Sequence, residues 1–363
     1  MTPAVTTNVP YRLTRLGVIM SAEPGAEFEA EGVLNPASGR SPDGRLWLLP
    51  RLVAAGNVSR IGIAEVLVHS GRPAGVRRDG VVLAPDAGWE RSHDHAGVED
   101  PRTTWIASLG LHVMSYVAFG PLGPRPALAV SGDLRSWRRL GPVHFEYQPE
   151  LDADLNLFTN KDVVYFPEAI PGPDGRLAYA MLHRPTWDLG AIVGGSDVFL
   201  PAGLSDPRPG IWISYAPADA VRGDVRALTH VRSHRVVALP EYDYEAVKIG
   251  AGPPPLRVEE GWLLIHHGVS GTLAEGWGPQ PHVRYSAGAM LLDPDDPGTV
   301  LARTPSPLLE PLALEEREGT APNVVFPTAI EEIDGQRFVF YGMADSSIGV
   351  ARLDSMRSEE HHV

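Results

Sequence analysis

Five stretches decide the fold: GRLWLLPRL (44–52), LGLHVMSYVAF (109–119), GRLAYAMLHRP (175–185), GWLLIHHGV (261–269) and GQRFVFYGMAD (335–345). Each sets a glycine turn against a run of aliphatic, aromatic and β-branched residues, the pattern of a strand entered from a tight turn. Each is followed by a shorter alternating run: SRIGIAEV (59–66), PALAVSGDL (126–134), GIWISYAPAD (210–219), VRYSAGAMLLD (283–293) and SIGVARLD (347–354). Each is preceded by an opening that sets a polar residue or glycine near proline: Asn35-Pro36, Glu99-Asp100-Pro101-Arg102, Asp162 before Phe166-Pro167, Gly252-Pro253, and Asn323 before Phe326-Pro327. The units start about 60 to 90 residues apart, room for a four-stranded antiparallel sheet with its loops.

Five such sheets about an axis predict an all-β chain, a five-bladed β-propeller with a central active-site pocket. It reads as one domain over 1–363, with blades at about 30–90, 95–160, 161–245, 246–318 and 319–356. The last unit has room for three strands after Asn323, and YRLTRLGVIM (11–20) is expected to close that blade. A pair of β-sandwiches is the competing architecture and leaves the fivefold pattern unexplained.

Composition agrees. The 38 glycines and 35 prolines among 363 residues are spread evenly, as many short strands and turns require. The chain has no cysteine, which excludes disulfides, thiolate nucleophiles and Cys-ligated metals. A formal net charge of −14 argues against nucleic acid or an anionic membrane as partner, but not against a small anion in a local cationic pocket. The first twenty residues lack a basic start followed by an apolar run, and no stretch is apolar enough for a span, so a cytoplasmic location is expected.

In a propeller the innermost strands converge on one face. The repeat therefore gathers Asn35, Asp100, Asp162 and Asn323 from distant parts of the sequence, with Arg51, Arg184, His267 and Asp345, at the ends of second strands, near the same rim. A pocket holding both carboxylates and cations follows.

The strings GVEDPR (97–102), NKDVVYFPEAI (160–170), YAMLHRP (179–185), KIGAGPPP (248–255), GWLLIHHGV (261–269), NVVFPTAI (323–330) and YGMADSSIGVA (341–351), in this order, resemble glycoside hydrolase family 130. That family holds β-mannoside phosphorylases and some β-mannosidases on a five-bladed propeller, and the resemblance runs from about Asn35 to Leu353. It implies that Asp100 is the catalytic acid, passing its proton through a sugar hydroxyl. It implies that Arg184, Lys248 and His267 hold phosphate, with Lys161 as a second-line contact. It implies that Asn35, Arg51, Arg60, Asp162 and Asp345 line the sugar site. No metal or other cofactor is implied, inorganic phosphate being a co-substrate. A homo-oligomer is compatible, family members assembling to various sizes. The segment 187–209 is longer than the family usually carries, which leaves the acceptor sugar open.

The residue types suit this chemistry. Breaking a glycosidic bond needs a proton for the leaving oxygen and a nucleophile at the anomeric carbon. Inverting hydrolases use a second carboxylate as base toward water. Phosphate is already an anion and needs instead to be held: arginine binds it bidentately, lysine adds a point charge, histidine a further donor. The reading is thus an inverting β-mannoside phosphorylase that turns a β-1,2- or β-1,4-linked mannoside and phosphate into α-mannose 1-phosphate. A β-mannosidase using Glu168 or Glu245 as base, and a non-catalytic glycan-binding propeller, are the alternatives.

Other motifs read as structure. His93-Asp94-His95 lacks zinc-site spacing and reads as a loop, Glu315-Glu316-Arg317-Glu318 as a solvated charged loop, and 358–363 as a disordered tail. Trp105, Trp187, Trp212, Trp262 and Trp277 read mostly as core, with Trp187 and Trp277 in loops where stacking on sugar is the alternative.

Overall fold

The computed structural model describes residues 8–92, 96–121, 123–187, 198–273 and 282–356. The chain is all-β. Strand β1 (Tyr11–Ser21) is followed by five consecutive antiparallel meanders. The first comprises β2 (Gly32–Arg40), β3 (Leu46–Ala54), β4 (Val58–His69) and β5 (Arg72–Leu83), and the second β6 (Ala96–Ile106), β7 (Leu111–Gly120), β8 (Gly123–Ser131) and β9 (Arg138–Pro142). A short parallel pairing of Val58 and Ser59 with Ala96 and Gly97 joins these two into one eight-stranded sheet. The third comprises β11 (Thr159–Pro171), β12 (Leu177–Thr186), β13 (Ile211–Pro217) and β14 (His230–Ala238), with the two-residue β10 (His144–Phe145) on its edge. In the fourth, β15 (Lys248–Ala251) and β16 (Leu256–Val258) both pair with β17 (Gly261–Gly271), followed by β18 (Val283–Leu292) and β19 (Val300–Arg303). The fifth comprises β20 (Val325–Ile333), β21 (Gln336–Met343) and β22 (Ser347–Ser355), and β1 pairs with β22 as its fourth strand.

Turn chemistry follows from residue type. Asp334-Gly335 links β20 to β21 as a two-residue hairpin, with φ of 49° and 76°; aspartate tolerates that left-handed region and glycine enters it without strain.

Each meander is apolar on both faces and packs on its neighbours. One core cluster joins the first and second meanders through Trp47, Ile61, Met114 and Ala129. Others join the second to the third through Val130 and Met181, the third to the fourth through Leu182 and Leu264, and the fourth to the fifth through Ile265 and Val339. A fifth joins the last meander to the first through Phe338, Phe340, Leu46 and Leu48. Burying a leucine-sized side chain contributes about 1.5–3 kcal/mol, so each of the five seams adds strongly to stability.

A second device recurs. A buried glutamate from the segment before an inner strand reaches an arginine on the outermost strand of the same meander. Glu29 meets Arg78 at 2.8 Å, Glu90 meets Arg139 at 2.8 Å, Glu245 meets Arg303 at 2.8 Å, and Glu316 meets Arg15 at 2.7 Å. In the last three the glutamate also accepts backbone N–H bonds and a bond from the second strand: from Tyr116, His266 and Tyr341. The third meander has no such glutamate among the described residues.

The structure corrects two expectations. Glu316, read as part of a solvated loop, is fully buried as one of these clasps, because a charge with four donors around it tolerates burial. Trp187, read as core despite its loop position, is 1% exposed and packs edge-on against Phe158 and Trp212. Trp105, read as core, is 47% exposed and lies against His112. Trp277, His93-Asp94-His95, most of the long 187–209 segment and the C-terminal tail lie outside the described residues.

Candidate active site

Three inner strands share one irregularity. In β2, β6 and β11 two residues stand against one on the second strand: 35–36 against 50, 100–101 against 116, and 162–163 against 183. The first of each pair, Asn35, Asp100 or Asp162, has a φ of 44°, 47° or 56°. A bulge of this kind bends the strand and re-aims a side chain, and asparagine and aspartate are the side-chain residues that enter the left-handed region most readily. Asn323 and Asp345 of the fifth unit share the conformation, at 62° and 50°. The second-strand residues just past the bulge, Arg51 and Arg184, and His267 on β17 meet these polar groups.

Two half-sites result. On one side Asn35 Nδ2 donates to Asp100 Oδ1 at 2.8 Å, and Arg51 Nη1 donates to the same oxygen at 3.1 Å. Arg51 Nη2 donates to Glu99 Oε1 at 2.8 Å, and Lys161 Nζ lies 3.8 Å from Glu99 Oε2. Burial pushes the Asp100 carboxyl up, but Arg51, Lys161, the Asn35 bond and Arg102 outweigh it and hold the group below its ordinary range. Asp345 goes the other way. Burial pushes it up to about 6, with Asp100 and Glu99 adding to the rise and Arg51 and Lys161 opposing it.

On the other side Asp162 organises cations. Arg184 Nε donates to Oδ2 at 2.5 Å, Arg102 Nη2 donates to Oδ1 at 3.2 Å, and His267 Nε2 lies 3.5 Å from Oδ2. Burial opposes its ionisation, but Arg184, His267 and Arg102 prevail and hold Asp162 far below the carboxylate range. Lys248 Nζ sits 5.5 Å from the centre of the Tyr285 ring; burial, then Arg184 and Lys161, push its ammonium down to about 7 against the pull of Asp162. His267 packs on Phe326 with ring centres 4.4 Å apart, and burial keeps its imidazole neutral. Neither His267 ring nitrogen, nor Arg102 Nε, makes a hydrogen bond among the described residues. Asp100, Arg102, Lys161 and Asp162 line one cleft between the halves.

The backbone leaves room for these side chains only at glycine. A Cβ on Gly342 would stand 2.0 Å from Asn35 Oδ1, and one on Gly250 would stand 2.2 Å from Asp162 Oδ2.

Thus Asn35, Asp100 and Arg51 meet directly, Asp345 shares their electrostatic field, and Arg184, His267 and Lys248 gather about Asp162. Asp162 is 3% exposed with both oxygens engaged by cations, so it organises the site from beneath. Lys161 stands between the halves. Arg60 lies apart: its guanidinium covers the Phe28 ring at 4.0 Å, and none of its hydrogen bonds or ion pairs among the described residues joins the Asp100 cluster. Glu168 is exposed, and Glu245 is locked by Arg303 and His266. Sequence reasoning named Glu99 only as a neighbour of Asp100 and missed Arg102 and Tyr285. Arg102 stands in the string GVEDPR; Tyr285 lies in an alternating third strand like any other and carries no separate signal.

Known proteins resemble this chain. The family model of glycoside hydrolase family 130, described as beta-1,4-mannooligosaccharide phosphorylase, matches residues 57–357. A 1,2-beta-oligomannan phosphorylase from Thermoanaerobacter is 32% identical over 73% of this chain and 71% of its own length. A beta-1,2-mannobiose phosphorylase from Listeria innocua is 34% identical over 73% of this chain and 59% of its own length. A beta-1,4-mannooligosaccharide phosphorylase from Ruminococcus albus is 33% identical over 53% of this chain and 47% of its own length. The solved structure of the Listeria innocua beta-1,2-mannobiose phosphorylase with beta-1,2-mannobiose superposes with a TM-score of 0.69 at 23% identity, covering 97% of this chain and 99% of that one, which is a likeness of fold.

Proposed function

The chain belongs to glycoside hydrolase family 130, and on that premise we propose that it is an inverting β-mannoside phosphorylase built as a five-bladed β-propeller. The closed sequence of core seams from the first meander to the fifth and back supports the propeller. The observation that carries the function is the grouping of Arg184, Arg102, Lys248 and His267 about one carboxylate, opposite Asp100 and Asp345. Four potential donors converging on so small a volume suit an oxyanion with several acceptor oxygens.

In this reading inorganic phosphate lies against Arg184, Lys248 and His267, and attacks the anomeric carbon from the face opposite the leaving sugar. The C1–O bond to the leaving sugar breaks, the C1–O bond to phosphate forms, and α-mannose 1-phosphate results. The leaving oxygen takes a proton from Asp100, relayed by a sugar hydroxyl, and the proton lost by phosphate restores the balance over the cycle. Asp100 is ionised in the free site, so its acid form belongs to the loaded one. A phosphate dianion offsets Lys161 and Arg102, two of the cations that hold Asp100 down, and a bound sugar excludes water. Both changes favour the protonated carboxyl.

A hydrolase needs a carboxylate base; Glu245 is held by Arg303 and His266, and Glu168 is exposed and makes no contact with the Asp100 cluster among the described residues. The protein is read as cytoplasmic and independent of metal, and no helix among the described residues is long and apolar enough to cross a membrane. The two relatives matched over 73% of the chain are named for β-1,2 linkages, which makes β-1,2-mannobiose the first substrate to try. The test incubates the protein with β-1,2- and β-1,4-mannobiose, with and without phosphate. Phosphate-dependent mannose 1-phosphate from either supports the reading and names the linkage. Free mannose regardless of phosphate overturns it in favour of a hydrolase, and no turnover of either sugar favours a glycan-binding propeller.

A further inference from the structure

A continuous line of hydrogen bonds crosses the third meander behind the cation half of the site. Asn160 Nδ2 lies 2.9 Å from His183 Nδ1, and His183 Nε2 lies 2.8 Å from Ser214 Oγ. Ser214 Oγ lies 2.8 Å from His234 Nδ1, and His234 Nε2 lies 2.8 Å from the Glu146 carbonyl oxygen. The four side chains are between 0% and 3% exposed.

The last partner fixes every other. A carbonyl only accepts, so His234 Nε2 carries a proton. Burial keeps both imidazoles neutral, so His234 Nδ1 accepts and the Ser214 hydroxyl must donate to it. Ser214 then has only lone pairs left for His183, whose Nε2 must donate. His183 Nδ1 accepts, and the Asn160 amide must present its NH2. One backbone carbonyl at the outer edge thereby sets the orientation of an amide at the inner strand.

This line stands where the rest of the molecule uses something else. Ser214 occupies the third-strand position held elsewhere by Ala64, Ala129, Met290 and Ala351, which pair with the clasp arginines Arg78, Arg139, Arg303 and Arg15. His234 falls within the register shift opposite Ser214. His183 opposes the bulge as Tyr116 does in the second meander, but with no glutamate to meet. Four meanders are stapled at their edges; the third is tied from its edge to its centre.

Both inner ends of the line adjoin the cation half. Asn160 precedes Lys161 and Asp162 on β11, and His183 precedes Arg184 on β12, where Lys161 pairs with Arg184. We infer that Asn160, His183, Ser214 and His234 form a positioning relay, which holds the Asp162 bulge and the Arg184 strand in register for phosphate. The relay rests on the phosphorylase reading. It touches neither substrate.

Ser214→Ala cuts the line at its middle and places there the residue that the first, second and fifth meanders already carry. Calorimetric titration of the full chain with inorganic phosphate, and initial rates against phosphate and mannoside separately, read the effect. Two buried nitrogens lose their partner, and a loss of about tenfold in phosphate affinity and in the phosphate KM is expected, with the mannoside KM within about twofold of wild type. Ser214→Thr, which keeps the hydroxyl, is expected to restore phosphate binding. Long-range proton–nitrogen NMR on the wild type should show His183 and His234 both protonated at Nε2. Wild-type phosphate affinity in Ser214→Ala, equal losses for both substrates, or an Nδ1-protonated His183 or His234 each overturns the relay alone. A wild-type protein that binds no phosphate overturns the phosphorylase reading, and the relay's role falls with it.

Discussion

Asp345→Asn should make the protein more stable at pH 8 and change it much less at pH 4.5. The carboxyl is part-buried beside Asp100 and Glu99, and desolvation there pushes it up to about 6 from an ordinary 3.8. A raised carboxyl binds its proton more tightly in the folded chain than in the unfolded one. Its favourable contribution is therefore complete below about pH 3.8 and is lost as pH rises through about 6. At pH 8 the wild type carries an ionised carboxylate in a place that disfavours it. The difference between the two values, at about 1.4 kcal/mol for each tenfold, corresponds to about 3 kcal/mol. Asparagine keeps the shape and removes the charge. Relief of that order raises the melting temperature by several degrees, a kilocalorie being worth about 2–4 °C in domains of 150–250 residues and less in larger ones. Thermal unfolding of both proteins at the two pH values reads it directly. An equal change in Tm at both, or a lower Tm for the variant at pH 8, would refute the reasoning. Turnover should fall at least about tenfold in the same variant, so that a gain in stability accompanies a loss of function, the mark of a group retained for its chemistry.

The Lys248 ammonium, pushed down to about 7, must take up a proton for phosphate at higher pH. The phosphate KM should rise about tenfold per pH unit above that value, and Lys248→Arg, charged throughout, should flatten the profile; a flat wild-type profile to pH 9 refutes this. Asp100→Asn should lower turnover by about 10²–10⁴ while phosphate binding, read by calorimetry, stays within a few-fold. Glu316→Ala strands Arg15 and the Tyr341 hydroxyl at the pairing of β1 with β22 and should lower stability by about 3 kcal/mol, read by urea unfolding, with hydrogen exchange accelerated first in 11–21. Gly342→Ala drives Asn35 off Asp100 and should cost about 10²-fold in turnover with far-UV circular dichroism unchanged.

The second strands were legible because a glycine turn and an apolar run are local properties, and five of them at similar spacing expose the repeat. Asp100, Arg184 and His267 could be brought to one rim because each sits at a fixed place in that repeat, whereas Lys248 came only from the family resemblance. The clasps were not. Their glutamates lie in irregular connectors, where a charged residue reads as solvated, and their arginines lie a whole meander away. A signal existed in the equal spacing of Glu29 to Arg78 and Glu90 to Arg139, each 49 residues. It escapes notice because the pair in the fourth meander is spaced differently and the pair in the fifth runs from one end of the chain to the other. Ser214 and His234 carry no local mark at all; only the register shows that they replace a small residue and an arginine.

The division of charge in the site follows from one constraint. Cations gathered tightly enough to hold a phosphate repel one another before it arrives, and Lys248 records that repulsion from Arg184 and Lys161. Asp162 relieves it by engaging Arg184 and Arg102 from beneath, with neither oxygen left over for a ligand. A second carboxylate in that half would compete with phosphate for the same donors. The remaining carboxylates, Asp100, Glu99 and Asp345, therefore belong across the cleft, where Arg51 holds two of them. Lys161, like Arg102, is felt by both halves; Lys161 lowers Lys248 on one side and Asp100 on the other. In the proposed reading, neutralising it by a bound phosphate dianion should move both groups upward together, charging Lys248 and protonating Asp100.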